Sequence, residues 1–439
     1  MNIKVLIPFI LLLIADSCSR EPVTRSMVVI NPVHYHAALV QKNHLEGVSD
    51  TINVYAPKGE ELDAYLKTIE SFNGRAENPT HWTERIHICD DYMDSLPVAR
   101  DGDFVILACQ NNKKPNNILA AVKKGYNVLA DKPMAIDNKG FELLKEAYSL
   151  ANHKGLLIFD LMTERHDILN ILVRRLVSDE NFFGKMDGGV RMTSIHHFYK
   201  KVTGSTLVRP EWYYDIHQQG EGIADVTTHL IDLVFWQCFP EKAIRLNDIK
   251  VIDAKHYPTK ISLSQYKQST KAVAFPEYLN YCQRDSIIDV MSNGNIDFDV
   301  KGTPVNISVR WDFQTPDGSG DTFESVYNGS RATVRIVQNE STNFKKLLVV
   351  SASESSMKKA YNILKKDFPS LNMTAFRKDS WILDVAPQDK LGHEDHFSLT
   401  CGTFLKYLKS KDAPDWETTN TLTKYYITTE AVRIARNEK

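Results

Sequence analysis

The sequence predicts an α/β chain: a doubly wound parallel (Rossmann-like) sheet, then an α+β domain with a largely antiparallel sheet. Three observations carry this. Up to residue 160, short apolar runs alternate with helical spacings, the rhythm of βαβ units. One run, Asp103 to Cys109, is nearly continuous in apolar residues, as a parallel strand covered on both faces is. Beyond residue 246, β-like runs follow one another with few helices between, which suggests antiparallel pairing.

Taken in order, the first strand is Ser26 to Ile30, ending at Asn31-Pro32, with a helix over His34 to Leu45. Thr51 to Ala56 is a strand and Glu60 to Phe72 a helix; Ile86 to Cys89 and Asp103 to Cys109 are strands three and four. A helix over Pro115 to Lys124, a strand Asn127 to Ala130, a helix Asn138 to Asn152 and a strand Gly155 to Asp160 complete the sheet. The second part opens with a helix, Asp167 to Val177, a strand, Asp187 to Phe198, and a helix, Ile223 to Phe239. Strands then run over 246–252, 286–291, 296–300, 305–311, 325–327, 332–337 and 346–350. Helices over Met357 to Asp367, His396 to Lys409 and Thr421 to Arg436 close the chain.

With 439 residues, 43% of them hydrophobic and 25% charged, the chain suits two globular domains with real cores. Its net charge of -2 gives no electrostatic basis for binding nucleic acid or an anionic membrane. Lys4, the apolar run Val5 to Ala15 and Ser17-Cys18 have the order of a signal peptide, too short to span a bilayer as a helix. They resemble a bacterial lipoprotein signal, which would make Cys18 the lipidated residue and the cell envelope, or periplasm, the location. The expected division is 1–26 as signal and tether, 27–162 as the nucleotide-binding domain and 163–439 as the substrate domain. The remaining five cysteines show no CxxC spacing, so a structural zinc site is not expected.

Ligands of such sheets sit outside the carboxyl ends of the strands. The glycine-rich phosphate loop expected after strand one is here Asn31-Pro32-Val33-His34-Tyr35-His36, without glycine. A dinucleotide would meet the helix there, with His34 or His36 donating to phosphate; the competing reading is a sheet that binds dinucleotide poorly. The ribose-binding acid at the end of strand two is also missing; Tyr55, Ala56 and Lys58 occupy that region. Strand five runs into Asp131-Lys132-Pro133, which puts Lys132 over the crevice, where an ammonium can favour deprotonation of a hydroxyl. Pro133 admits a cis peptide.

The stretch Gly220 to Asp232 places Asp225, His229 and Asp232 at i, i+4 and i+7, on one helix face. A carboxylate beside an imidazole can handle protons; the plain alternative is a solvated polar stripe. Together these segments resemble the Gfo/Idh/MocA oxidoreductase family. Gly125 to Ala135 is similar to its "AGKHVLCEKPLA" segment, and Gly220-Glu221-Gly222 through Asp225, His229 and Asp232 to its "GGG…DxGxHxxD" segment, with Thr227 in place of the usual glycine. Asn31 to Val40 and Met162 to Arg165 resemble a Bacteroidetes-type subgroup. The resemblance implies an NAD- or NADP-dependent oxidoreductase acting on a carbohydrate or glycoside hydroxyl. Lys132 would hold the hydroxyl, His229 would be the general base, and Asp225 would orient His229 or bind a neighbouring hydroxyl. The cofactor side would comprise Asn31, Pro32, His34, His36, Asn111, Asn112, Asp131, Lys132 and Pro133; the substrate side Glu164, Arg165, Trp212 and Glu221. Glu221 also suggests a second base, for glycoside cleavage by oxidation, elimination and re-reduction with recycled NAD. The missing glycines motivate a third reading, a non-catalytic sugar-binding lipoprotein.

Other clusters carry less. His196-His197 on a strand would face opposite ways. His393-Glu394-Asp395-His396 lacks the metalloprotease spacing and reads as a helix start with solvated acids. No metal is expected. Trp212-Tyr213-Tyr214 suits either stacking on a sugar ring or an aromatic core. The expected partners are a small carbohydrate and, through the second-domain sheet, further copies of the chain.

Overall fold

Six parallel strands come first in the computed structural model, which describes residues 24–202, 205–315 and 320–438. The predicted signal and Cys18 lie outside the described residues. The strands are β1 (Met27–Ile30), β2 (Thr51–Ala56), β3 (Thr83–Ile88), β4 (Phe104–Leu107), β5 (Asn127–Ala130) and β6 (Ile158–Asp160). Their order, β3-β2-β1-β4-β5-β6, reverses direction between β1 and β4, and that switch point opens a ligand crevice. Helices α1 (His36–Leu39), α2 (Glu60–Gly74), α3 (Tyr92–Ser95), α4 (Lys114–Lys123) and α5 (Asn138–Lys154) make the crossovers. Strands β1, β4 and β5 are buried throughout, which accounts for their unbroken apolar runs.

The helix expected over His34 to Leu45 is a single turn. Trp82 Nε1 donates to the carbonyl of Gln41 at 2.7 Å, taking an acceptor that a longer helix would have used. The Gln41 side chain is buried among Tyr65 and Glu84.

After α6 (Ile168–Val177) the chain builds a ten-stranded sheet. Its strands are β7 (Met186–Tyr199), β10 (Ile249–Ser262), β11 (Gln283–Arg284), β12 (Ile287–Val300), β13 (Thr303–Gln314), β14 (Thr322–Gly329), β15 (Thr333–Gln338), β16 (Leu347–Ser351), β17 (Asn372–Arg377) and β18 (Ser380–Asp384). The short pair β8 (Lys201–Val202) and β9 (Ser205–Thr206) stands apart from it. Only β7 and β13 pair in parallel; every other pairing is antiparallel. The two runs expected at 286–291 and 296–300 are one strand, β12, because Asn293 and Gly294 resume the ladder after an irregularity at Met291 and Ser292. Strands β17 and β18, which the sequence did not suggest, extend the sheet edge beyond α10 (Glu354–Asp367). His196 and His197 were expected to face apart, yet both rings reach Asp321, at 3.4 and 2.9 Å, one carboxylate oxygen each.

The helix predicted over Ile223 to Phe239 is split into α7 (Gly222–Asp225) and α8 (Thr227–Cys238). Thr227 and Thr228 turn their hydroxyls onto the carbonyls of Ile223 and Asp225, which competes with the regular ladder. Helix α9 (Leu263–Thr270), not foreseen, starts with a capping box at Ser262 and Gln265. The last two helices, α11 (His393–Ser410) and α12 (Asp415–Ala435), return to the first sheet. Phe397, Cys401 and Phe404 of α11 share a core with Phe104 and Phe159, and Tyr425 of α12 lies in the core on the other face. At the carboxyl end of β6, Asp160 is bound by Lys424 and Tyr425 of α12. Among the described residues no helix is long and apolar enough to cross a membrane.

Candidate active site

Lys132 leaves the carboxyl end of β5, followed by a cis bond to Pro133. Its ammonium pairs with the Asp225 carboxylate at the end of α7. Asp225 also accepts from Gln219 Nε2 at 2.9 Å. The Gln219 carbonyl accepts from Asn111 Nδ2 at 2.7 Å, and Lys114 Nζ donates to Asn111 Oδ1 at 2.8 Å and to the Lys132 carbonyl at 3.2 Å. One hydrogen-bonded chain therefore fixes Lys132 from both domains. Burial alone would strip its charge, but Asp225, with Asp131 behind it, raises its pKa above the ordinary lysine value. Burial works equally against Asp225, and Lys132 holds it below the usual carboxylate range. Both groups are therefore ionised.

His229 stands one turn beyond Asp225. Burial, then the nearby Lys132 charge, lowers its pKa to about 4, against the opposing pull of Glu164 and Asp225. Its imidazole is neutral at physiological pH, and Nδ1 has no hydrogen-bond partner. Asp225 was expected to orient this ring or to bind a neighbouring hydroxyl; its hydrogen bonds go to Lys132 and Gln219, not to His229. Glu164 completes the wall, with Lys346 Nζ at 3.4 Å and His393 Nε2 at 3.9 Å. Burial opposes its charge, but Lys346 and the surrounding histidines bring its pKa down to about 2. The sequence therefore missed His393 and His396, although the His-Glu-Asp-His run was the signal. At i and i+3 they reach the Glu164 side, while Glu394 and Asp395 pair with Lys42 outside.

Several expected site residues are committed elsewhere. Asp232 takes both arms of the Arg165 guanidinium at 2.7 Å and Lys424 Nζ at 3.0 Å. Arg165 also forks onto Glu417, and Lys424 onto Asp160 at 2.9 Å. Arg165 is thus a clamp between layers and not a substrate ligand. Glu221, 1% exposed, is held by His256 Nδ1 and Arg436 Nε, each at 2.6 Å, so it is no free second base.

The nucleotide end departs further from expectation. Asn31 adopts a positive φ of 41°, making the turn that glycine makes elsewhere. Its amide, however, points to Gln110 and Tyr92. The backbone N–H groups of Asn31, Val33 and His34 are spent on the carbonyls of Tyr55, Asn31 and Ala108. The buried His36 ring lies 3.0 Å from Asp131 and packs on Phe397; burial lowers its pKa to about 3. His34 Nδ1 is also 3.0 Å from Asp131, though poorly aligned for a hydrogen bond. Both imidazoles thus turn Nδ1 towards Asp131. These three residues bring ligand-type atoms within 4.8 Å of one another, but Lys114 and Lys132 add positive charge that opposes a cation there. Asn111 is buried and fully used, and Asn112 donates its backbone N–H to Gln218 at 3.1 Å. Pro133 is buried, and Pro32 and Trp212 line a cavity beside this loop. The loop thus does not fit a dinucleotide pyrophosphate in the way a glycine-rich loop does.

The model of the family described as "Putative oxidoreductase C terminal domain" matches residues 172–436. A crystal structure of a putative oxidoreductase from Parabacteroides merdae is 37% identical, covers 95% of this chain and 99% of its own, and has a TM-score of 0.92. The chain belongs to the Gfo/Idh/MocA-type oxidoreductase family. Two more distant structures share the fold. A putative oxidoreductase from Thermotoga maritima is 13% identical over 94% of this chain and 98% of its own, with a TM-score of 0.61. KijD10, a 3-ketoreductase from Actinomadura kijaniata in complex with NADP and TDP-benzene, is 13% identical over 94% and 97%, with a TM-score of 0.56. No curated protein matches the chain.

Proposed function

We propose that this protein is an oxidoreductase acting on a carbohydrate hydroxyl, with Lys132 and His229 as its acid–base pair. The observation that carries it is a charged Lys132–Asp225 pair beside a neutral His229 at the end of β5. Lys132, immobilised by Asp225, donates a hydrogen bond to the hydroxyl oxygen and favours the alkoxide. His229 accepts the proton. Glu164, anionic beside it, favours the imidazolium that results. The hydride leaving the carbinol carbon needs an acceptor. A nicotinamide is what the family resemblance supports, since the related fold of KijD10 holds NADP. The spent loop amides favour weak retention of that cofactor, and they support a second reading, a sugar-binding protein without turnover. Attachment to the cell envelope through Cys18 and association of copies through the large sheet belong to the proposal on sequence alone.

Two measurements decide. Mass spectrometry of the denatured protein reports co-released NAD(H) or NADP(H), which rules out the second reading. Absorbance of the reduced cofactor, followed with a set of sugars, reports turnover. Lys132→Ala and His229→Ala are expected to lose about 10²-fold or more. Unchanged turnover in both refutes the assignment.

A further inference from the structure

The cavity beside the loop after β1 holds about 540 Å³ and is the cleft in which this fold takes a nucleotide. One wall is the loop, with the first turn of α2; the other is the segment 207–213 of the second domain. In such sheets a carboxylate at the end of the second strand accepts the 2′-hydroxyl of the adenosine ribose. Where that ribose carries a 2′-phosphate, an arginine nearby receives it. Here β2 ends on Tyr55 and Ala56, both buried and neither a carboxylate.

The cleft is acidic all the same. Glu60, Glu61 and Glu211 line it. Glu60 and Glu61 open α2, just past the strand end, and both are exposed. Glu61 bends back over the turn: its Oε2 lies 3.3 Å from the point that a Cβ on Gly59 would occupy. Its carboxylate therefore stands close to where the strand-end acid is missing. Positive charge is scarce. Arg209 is the one arginine or lysine in the lining. It is buried, gives Nε and Nη2 to the carbonyls of Phe198 and His197 at 3.1 Å, and stacks over Tyr213 at 4.5 Å. Lys58, beside the turn, is exposed and lies outside the lining. The start of α2 has no side-chain cap and would favour an anion, but Glu60, Glu61 and Asp63 in its first turn already supply that negative charge.

We infer that Glu61, with Glu60 beside it, replaces the missing strand-end acid: it accepts the 2′-hydroxyl of the adenosine ribose and repels a 2′-phosphate, so that the cleft selects NAD(H) over NADP(H). This rests on the nicotinamide reading of the proposed function and adds the choice between its two forms. A 2′-phosphate brings about two negative charges to a cleft that already holds three carboxylates.

The test is titration of the full chain with NADH and with NADPH, without any sugar, read by nicotinamide fluorescence and calorimetry. NADH is expected to bind at least about tenfold more tightly. Glu61→Gln removes the charge but keeps an acceptor oxygen, so that ratio should shrink several-fold, chiefly through tighter NADPH. Glu61→Ala also loses the acceptor and should weaken NADH about tenfold. NADPH binding as tightly as NADH overturns the inference and leaves the nicotinamide reading standing. So does a ratio that Glu61→Gln does not change, or NADH binding that Glu61→Ala leaves intact. Saturable binding of neither form overturns both.

Discussion

Acidification should cost this fold stability through one imidazole. His229 has its pKa lowered from 6.5 to about 4, by burial first and then by Lys132. A histidine whose folded pKa is depressed binds its proton more readily unfolded. Stability is therefore fully present above the unfolded value and falls as the pH drops towards the folded one. With those two values, linkage puts the loss at about 2 kcal/mol between pH 7 and pH 5, approaching about 3 kcal/mol near pH 4. His36 and His166 are lowered in the same way, so total stability cannot isolate the effect. The difference between wild type and His229→Gln can. Urea unfolding at several pH values should show that difference changing by about 2 kcal/mol from pH 7 to 5, in favour of the variant at low pH. Parallel pH profiles would mean that His229 is solvated and titrates normally, and the case for a neutral base at this position would fail. In turnover, the same group should put the acidic limb of kcat/KM near pH 4.

Three further outcomes are expected. Asp225→Asn leaves Lys132 buried without its counter-charge, which lowers the lysine pKa; the alkaline limb of the turnover profile should move to lower pH, and an unmoved limb would contradict the pairing. Lys424→Met leaves Asp160 with the Tyr425 hydroxyl but no counter-charge, and Asp232 with Arg165 alone, so chemical denaturation should show a loss of about 3–5 kcal/mol, the cost of breaking a buried pair. Glu221→Gln should lower the melting temperature, because Arg436 and His256 lose their carboxylate, yet keep kcat within about threefold. A collapse of kcat at full stability would restore Glu221 as a catalytic group.

The parallel sheet was legible because buried parallel strands leave an unmistakable apolar record, as Asp103 to Cys109 does. The face shared by Asp225, His229 and Asp232 was legible from helical spacing, and it survives the break at Val226 because that residue stays helical, with φ -65°. Partners were not legible. Lys424 lies mid-helix in α12 with no local mark of its burial, and Lys114 looks like a surface lysine, yet both are among the least exposed residues. Their roles depend on carboxylates 192 and 264 residues away, and on Asn111 and Asp131 for Lys114. Likewise Glu221 and Arg165 read as site residues, since spacing places a side chain on a face but cannot say that the face is already filled by Arg436, Asp232 or Glu417.

These partners explain why a single helix face carries both chemistry and architecture. Its upper carboxylate, Asp225, meets a lysine from β5; its lower one, Asp232, meets Arg165 and Lys424, which tie β6 and α12 to α8. The imidazole between them is held at fixed height above the sheet ends by ion pairs on either side. That rigidity matters because a neutral base must stay within hydrogen-bond reach of one hydroxyl without the energy of a charged contact to draw it there. Loosening Asp232 should therefore impair turnover even where the fold survives, although Asp232 touches no substrate. Under the proposed mechanism, the lower ion pairs are part of how the upper site works.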